Sequence, residues 1–255
     1  MARGNSDAAV GPSAEAEALQ HRIFAREKAI RKLFRPLEEW LGDTKHYFTH
    51  EFPEELSPRL AEVPEESLIC PPVVIVVPLI RKLSYSVGEP SLKHMYLSLM
   101  ATATDGRDAQ GVHPAYVDTV ARLSSKEARL LPMVLGQLQM PIAQVAWMSD
   151  DGQSTVLGRH LLDVNERGTG QPSTDVDFGL WVDNWIQLGL VEVDYAVQWS
   201  GESSYEWVER RPEFLAWQAQ FESSISFEKG VLRVTDFGKR FARAIGPRDS
   251  LIAIV

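Results

Sequence analysis

The apolar pattern of this 255-residue chain changes period once, near Met140. Before that point, apolar residues recur every three or four positions, the spacing of amphipathic helices. After it come segments that alternate residue by residue, the period of half-buried strands. Such a chain folds as a helical part followed by a mixed part.

Residues 1–13 are small and polar and read as a disordered tail. A long helix is expected from Ala14 to about Leu41. Leu19, Ile23, Ile30, Leu33, Phe34, Leu37, Trp40 and Leu41 share one arc of it, and Lys28, Arg31, Lys32 and Arg35 lie opposite. Gly42 is the expected stop. A short helix over Lys45–Glu51 follows, then a stretch with prolines at 53, 58, 64, 71 and 72 that reads as turns and connectors. VVIVVPLIRKLSYSV is ambiguous. Its β-branched residues favour a strand. The paired prolines ahead of it, and the spacing of Leu79, Ile80, Leu83 and Val87, favour a helix. We read a buried helix, kinked or restarted at Pro78 and ended by Gly88. SLKHMYLSLMATATDG, HPAYVDTVARL and SSKEARLLPMVLGQLQ are the next three helices. Ser124 and Glu127 in the last have capping-box spacing.

Beyond Met140, PIAQVAWM reads as a strand, and the loop-rich stretch after it holds a hairpin or a short helix. DVDFGLWVDNWIQLG is a helix and LVEVDYAVQWS an alternating strand. YEWVERRPEFLAWQAQFE is a helix broken near Pro212. VLRVTDFGKRFARAIG is a strand, a turn with Thr235 as N-cap, and a final helix. The order helix, strand, helix, strand, strand, helix, with an extra helix between the last two strands, is that of a winged helix. The expected fold class is mainly α (α+β). It comprises a helical N-terminal domain over 14–112 and a winged-helix-like domain over 113–255, with a small antiparallel sheet, an inserted helix and an acidic insertion.

Hydrophobic residues make up 44% and charged residues 24%, which excludes a disordered or fibrous chain. The single cysteine, Cys70, cannot form an intramolecular disulfide and fits a reducing compartment. Its apolar, proline-flanked context predicts a buried, unactivated thiol. No apolar run approaches the roughly 20 residues that span a bilayer, nor is there a signal-peptide core, so the expected location is the cytoplasm.

Five segments resemble the Abi-alpha family of bacterial proteins: PPVVIVVPLIRKLSYSV, SLKHMYLSLMATATDG, VHPAYVDTVARLSSKEARLL, LGLVEV and VTDFGKRFARA. They frame Pro71–Ala244 in the family's order and spacing. The HPAYVDTVARLSSKEARLL block is the most specific of them. The resemblance implies a cytoplasmic bacterial protein of antiphage defence by abortive infection, with no established active site to carry over.

Charge argues against DNA as the usual partner of a winged helix. The candidate recognition helix carries Asp175, Asp177 and Asp183 and no Lys or Arg, whereas phosphate contacts need cations. Residues 150–228 hold 15 acidic residues against four arginines, and the whole chain carries a net charge of −9. Arg233, Lys239, Arg240 and Arg243 are the residues that a DNA-binding alternative would use. A second alternative is a peripheral membrane effector, which would use the basic face of the first helix. That face, with Lys28, Arg31, Lys32 and Arg35, also fits an acidic protein surface or a second copy of the chain. Six of the seven tryptophans lie in the acidic half. Trp181 and Trp185 read as core, whereas Trp207 and Trp217 on the inserted helix read as partner contacts.

Candidate chemistry is sparse. His46 and His50 share a helical face, but Tyr47 stands where a zinc protease carries its Glu, and surface or capping roles fit better. His113 before Pro114 reads as a helix cap. Asp150, Asp151, Asp175 and Asp177 read as solvated carboxylates rather than a metal site. No P-loop, dinucleotide fingerprint or nucleophile elbow occurs, so neither cofactor nor metal is expected. The reading is a non-enzymatic protein that acts on an unidentified protein partner.

Overall fold

The computed structural model describes residues 12–34, 45–165, 172–221 and 224–246. These divide into two units, between Ala128 and Arg129 and again between Arg243 and Ala244. The sequence places the boundary at 112/113 instead. The later division reflects the packing of the 115–121 helix on the two helices before it.

The N-terminal unit is helical. Its elements are α1 (Pro12–Phe34), α2 (Lys45–Thr49), α3 (Glu51–Leu60), α4 (Val73–Tyr85), α5 (Pro90–Thr104), α6 (Ala115–Ala121) and the start of α7 (Ser125–Leu135). The expected end of the first helix, with Arg35 and Gly42, lies outside the described residues. In α1, Ile30 is buried, whereas Leu19, expected on the same apolar face, is 39% exposed. Arg26 donates from Nη2 to the Val63 carbonyl at 2.6 Å, tying α1 to the turn after α3.

Helix α3 corrects the reading of its segment as connectors. Pro53 sits in the first turn, where its missing N–H is no loss. Phe52, Leu56 and Leu60 recur every four residues and bury one face. The ambiguous segment is one continuous helix, α4, which runs through Pro78 without a restart. The Pro72 carbonyl accepts the amides of Ile75 and Val76 and fixes its start. At the head of α6, His113 Nδ1 accepts the Ala115 amide at 3.1 Å, the expected cap. The capping box closes as expected: Ser124 N donates to Glu127 Oε2 (2.7 Å) and Glu127 N to Ser124 Oγ (3.3 Å). Cys70, expected to be buried, is exposed, because the chain around it runs outside the helical core.

The C-terminal unit is built on a four-stranded antiparallel sheet in the order β2-β1-β4-β3. Its strands are β1 (Gln139–Met148), β2 (Ser154–Leu162), β3 (Val191–Asp194) and β4 (Ile225–Val234). Strand β2 is the hairpin alternative for the loop-rich stretch. The expected strand LVEVDYAVQWS pairs only as far as Asp194. Helix α8 (Phe178–Gln187) packs on β2 and β3. Gly189, at φ +70°, closes its C-terminal turn, a conformation that favours glycine. Helices α9 (Glu206–Glu209) and α10 (Pro212–Phe221) are the broken helix expected near Pro212. They cover the sheet face that carries Ala143, Val145 and Leu161, with Tyr205, Val208 and Phe214 between. Ile142, Leu162 and Leu232, on the opposite face, are also buried.

Helix α11 (Asp236–Ile245) starts as expected, with Thr235 Oγ1 accepting the Gly238 amide at 2.9 Å. A Cβ on Gly238 would lie 2.1 Å from the Leu190 carbonyl oxygen, so backbone must move to admit any side chain. Gly238→Ala should lower stability by about 2 kcal/mol or more in urea melts. An unchanged midpoint would contradict this close approach.

Candidate functional site

The most unusual backbone in the C-terminal unit lies on β2. Between the pairs Ala143↔Leu161 and Val145↔Gly158, β1 contributes one residue and β2 contributes two, Arg159 and His160. This is a β-bulge. His160 takes the extra turn at φ +58°, among the described residues the only non-glycine with positive φ. A histidine in that region carries strain that its surroundings must hold. The start of α8 presses on the bulge: a Cβ at Gly179 would lie 3.0 Å from the Arg159 carbonyl oxygen.

The bulge turns His160 inward, leaving it 2% exposed. Its Nε2 lies 3.1 Å from Asp183 Oδ1 on α8, and its Nδ1 lies 3.1 Å from Tyr195 Oη just after β3. One neutral tautomer satisfies both: Nε2–H donates to the carboxylate, and Nδ1 accepts the phenol proton. Burial lowers the His160 pKa, and the Asp183 carboxylate offsets that only in part. Burial likewise pushes the Tyr195 phenol up to about 12, so it stays protonated. The Tyr195 ring lies over Gly230 of β4, where a Cβ would come within 2.6 Å of it. One imidazole therefore ties β2, α8 and the strand β3 exit together.

Around this node lies the candidate interaction surface. Asp183 is half-exposed, and it belongs to an outward row on α8 with Leu180 and Gln187. Val176, one turn earlier, is 96% exposed, and Leu180 is 65% exposed. Beyond Tyr195 the chain crosses the sheet edge and borders two shallow concavities of about 400 and 360 Å³, which share Val197 and Gln198.

The residues singled out in the sequence fall in different places. Lys28 is exposed on α1, Arg31 and Lys32 lie on α1 with side chains that are not described, and Arg35 lies outside the described residues. Trp207 and Trp217, expected to face a partner, instead pack at the margin of the α9–α10 core. The Trp217 ring lies against Gly158, where no side chain intervenes, and Trp207 Nε1 donates to the Ser204 carbonyl. Arg233 sits 3.9 Å from both Glu192 and Asp194, and Lys239 pairs with Asp236 at 3.0 Å. Arg240 and Arg243 are exposed. Among the described residues, no group of three or more His, Cys, Asp or Glu side chains is placed to hold a metal ion. His46 on α2 stacks on His50, which lies between α2 and α3. His160 and Tyr195 went unnoticed in the sequence, because nothing local marks a histidine that will occupy a bulge.

These units define an α+β protein: a helical unit and a small curled antiparallel sheet covered on both faces. The sequence profile of the family described as abortive infection alpha matches residues 44–245. The chain belongs to that family. No curated protein matches it. Among solved structures, an uncharacterized protein from the hydrocarbon-degrading marine bacterium Alcanivorax borkumensis SK2 is 18% identical. The match covers 55% of this chain and 96% of that one, with a TM-score of 0.33, too low to carry an argument. No helix among the described residues is long and apolar enough to cross a membrane.

The neutral, buried state of His160 sets a pH dependence. Its pKa is lower in the fold than in the unfolded chain, so the unfolded state binds the proton first. Stability is therefore full above about pH 6.5 and declines as the pH falls below that value. His94 in the N-terminal unit is lowered by burial and by Arg59 and contributes with the same sign. His160→Asn, which tolerates positive φ, should flatten the decline between pH 7 and 5 in denaturant titrations. An identical slope in the variant would place the dependence elsewhere.

Proposed function

We propose that this protein is a binding component of abortive infection, acting in the cytoplasm through protein contacts of its C-terminal unit and performing no reaction itself. The unit is winged-helix-like: α7, β1, α8, β3, β4 and α11 supply the helix, strand, helix, strand, strand, helix order. Strand β2 and helices α9 and α10 are additions to it.

The observation that carries this reading is the outward row of α8. A winged helix presents this helix to its ligand. Here the row offers the apolar Val176 and Leu180 beside the carboxylates of Asp177 and Asp183, and no cation. Exposed apolar side chains rimmed by polar groups suit a protein surface. The same carboxylates would repel a phosphate backbone.

DNA binding through the last helix is the second reading, favoured by the exposed Arg240 and Arg243. It lacks support from the other two candidate cations, since Arg233 and Lys239 face carboxylates. A membrane contact through α1 would use Lys28, the one of its four candidate cations whose side chain is described, and it is exposed.

A phage panel in a bacterial host expressing the protein separates these readings. Leu180→Glu should abolish protection, because a charge in an interface centre costs at least about tenfold in affinity. The double change Arg240→Glu and Arg243→Glu should leave protection intact. The reverse pattern, with salt-sensitive duplex binding by the wild type, would establish the DNA reading instead.

A further inference from the structure

The sheet is asymmetric at β4. On one side β4 pairs with β1 along its whole length, from Gln139↔Arg233 to Trp147↔Ile225. On the other side β3 covers only Val231–Val234. Among the described residues, no strand lies beside Ile225–Lys229 on that side. The direction of each backbone group follows from alternation. Val234 N donates to Leu138 O toward β1, and Thr235 N donates to Leu190 O toward β3. Even-numbered residues of β4 therefore point their N–H and C=O toward β1, and odd-numbered ones point away. The N–H and C=O groups of Ile225, Phe227 and Lys229 thus face the uncovered side, in register for one more strand.

Two features keep this edge accessible. Lysines often protect an edge by reaching across it, but Lys229 Nζ lies over the Tyr205 ring at 5.4 Å. The chain leaving β3 stops pairing with β4 after Asp194. It leaves the 400 Å³ concavity between Tyr195, Val197 and Gln198 on one side and Phe227, Glu228 and Lys229 on the other.

We propose that this edge of β4 is a docking site for an extended, basic peptide segment of a partner protein, which adds as a strand in line with β3. The inference rests on the protein-contact reading above and names the contact. Backbone hydrogen bonds to residues 225, 227 and 229 hold the segment, and the concavity, with Gln198 and Glu228 in its lining, receives one of its basic side chains. Charge selects a basic segment. Glu228 is exposed beside the edge, and Glu192 and Asp194, in the row the new strand would extend, are 62% and 41% exposed. Of the cations nearby, Arg233 lies between those carboxylates and Lys229 on the Tyr205 ring, and Arg159, close enough to Tyr195 to act on it, is exposed.

The test uses the full-length protein and two synthetic heptapeptides, Lys-Val-Arg-Val-Thr-Val-Lys and its analogue with Glu at each basic position. Amide hydrogen exchange is followed residue by residue. In the free protein, the amides of Phe227 and Lys229 should exchange at least about tenfold faster than those of Ser226 and Glu228. The basic peptide should slow them by a similar factor, and the acidic analogue should not. Lys229→Ala removes the ammonium over the Tyr205 ring and keeps the outward-facing N–H, whereas Lys229→Pro removes both, so the proline variant should bind the basic peptide about tenfold more weakly than the alanine variant while the β1-facing amides stay protected. Protection of Phe227 and Lys229 in the free protein would overturn the proposal, as would equal binding of both peptides. Peptide-induced protection confined to α8 would overturn the edge site and leave the protein-contact reading standing. That reading fails separately, if Leu180→Glu retains phage protection.

Discussion

The antiparallel ladder between β1 and β4 is the constraint on which the C-terminal unit depends. Nine consecutive positions pair across it, and the two strands are the inner pair of the sheet. Each such hydrogen bond contributes only about 1 kcal/mol net. The larger effect is geometric. Fixing this register sends Ala143 and Val145 to the face covered by α9 and α10, and Ile142 and Leu232 to the other. A slip by one residue would exchange the two cores. The ladder also fixes what its neighbours must do: β2 bulges to bring His160 inward, and β3 ends where the Tyr195 ring takes the space over Gly230.

That node joins segments far apart in the chain. His160, Asp183 and Tyr195 meet because the β2 bulge, the outer row of α8 and the turn after β3 converge there. The strain of a left-handed histidine is held by two hydrogen bonds to its ring. The same construction sets the interaction surface. The exposed apolar residues of α8 and the uncovered edge of β4 are both positioned by elements that this imidazole connects.

Local signals in the sequence account for most of the helices. The Ser124–Glu127 capping box, the Thr235 N-cap and the break near Pro212 are all set by neighbouring residues, and all stand in the fold. The prolines at 53 and 58 mask the Phe52, Leu56, Leu60 spacing of α3, although Pro53 stands in the first turn, where it breaks nothing, and Pro58 falls in the last. The strand after α8 was read too long, because alternation continues past Asp194 while pairing stops there. Trp217 on α10 reads as an interface residue in the sequence, but its ring packs on the bare backbone of Gly158, distant in the chain on β2. The family was legible in segment words, and the profile match over residues 44–245 bears it out. The His160 node was not, since a bulge and two partners at distances of 23 and 35 residues leave no local trace.

The central claim is that the C-terminal unit touches protein when it acts. A photo-crosslinking amino acid at position 180, in cells sampled before and during phage infection, tests it most directly. The account predicts a discrete protein adduct that forms at this position, fails to form from an exposed control position such as Tyr85, and is insensitive to nuclease. Adducts that collapse on nuclease treatment would contradict it, and so would protection from phage with no adduct at position 180.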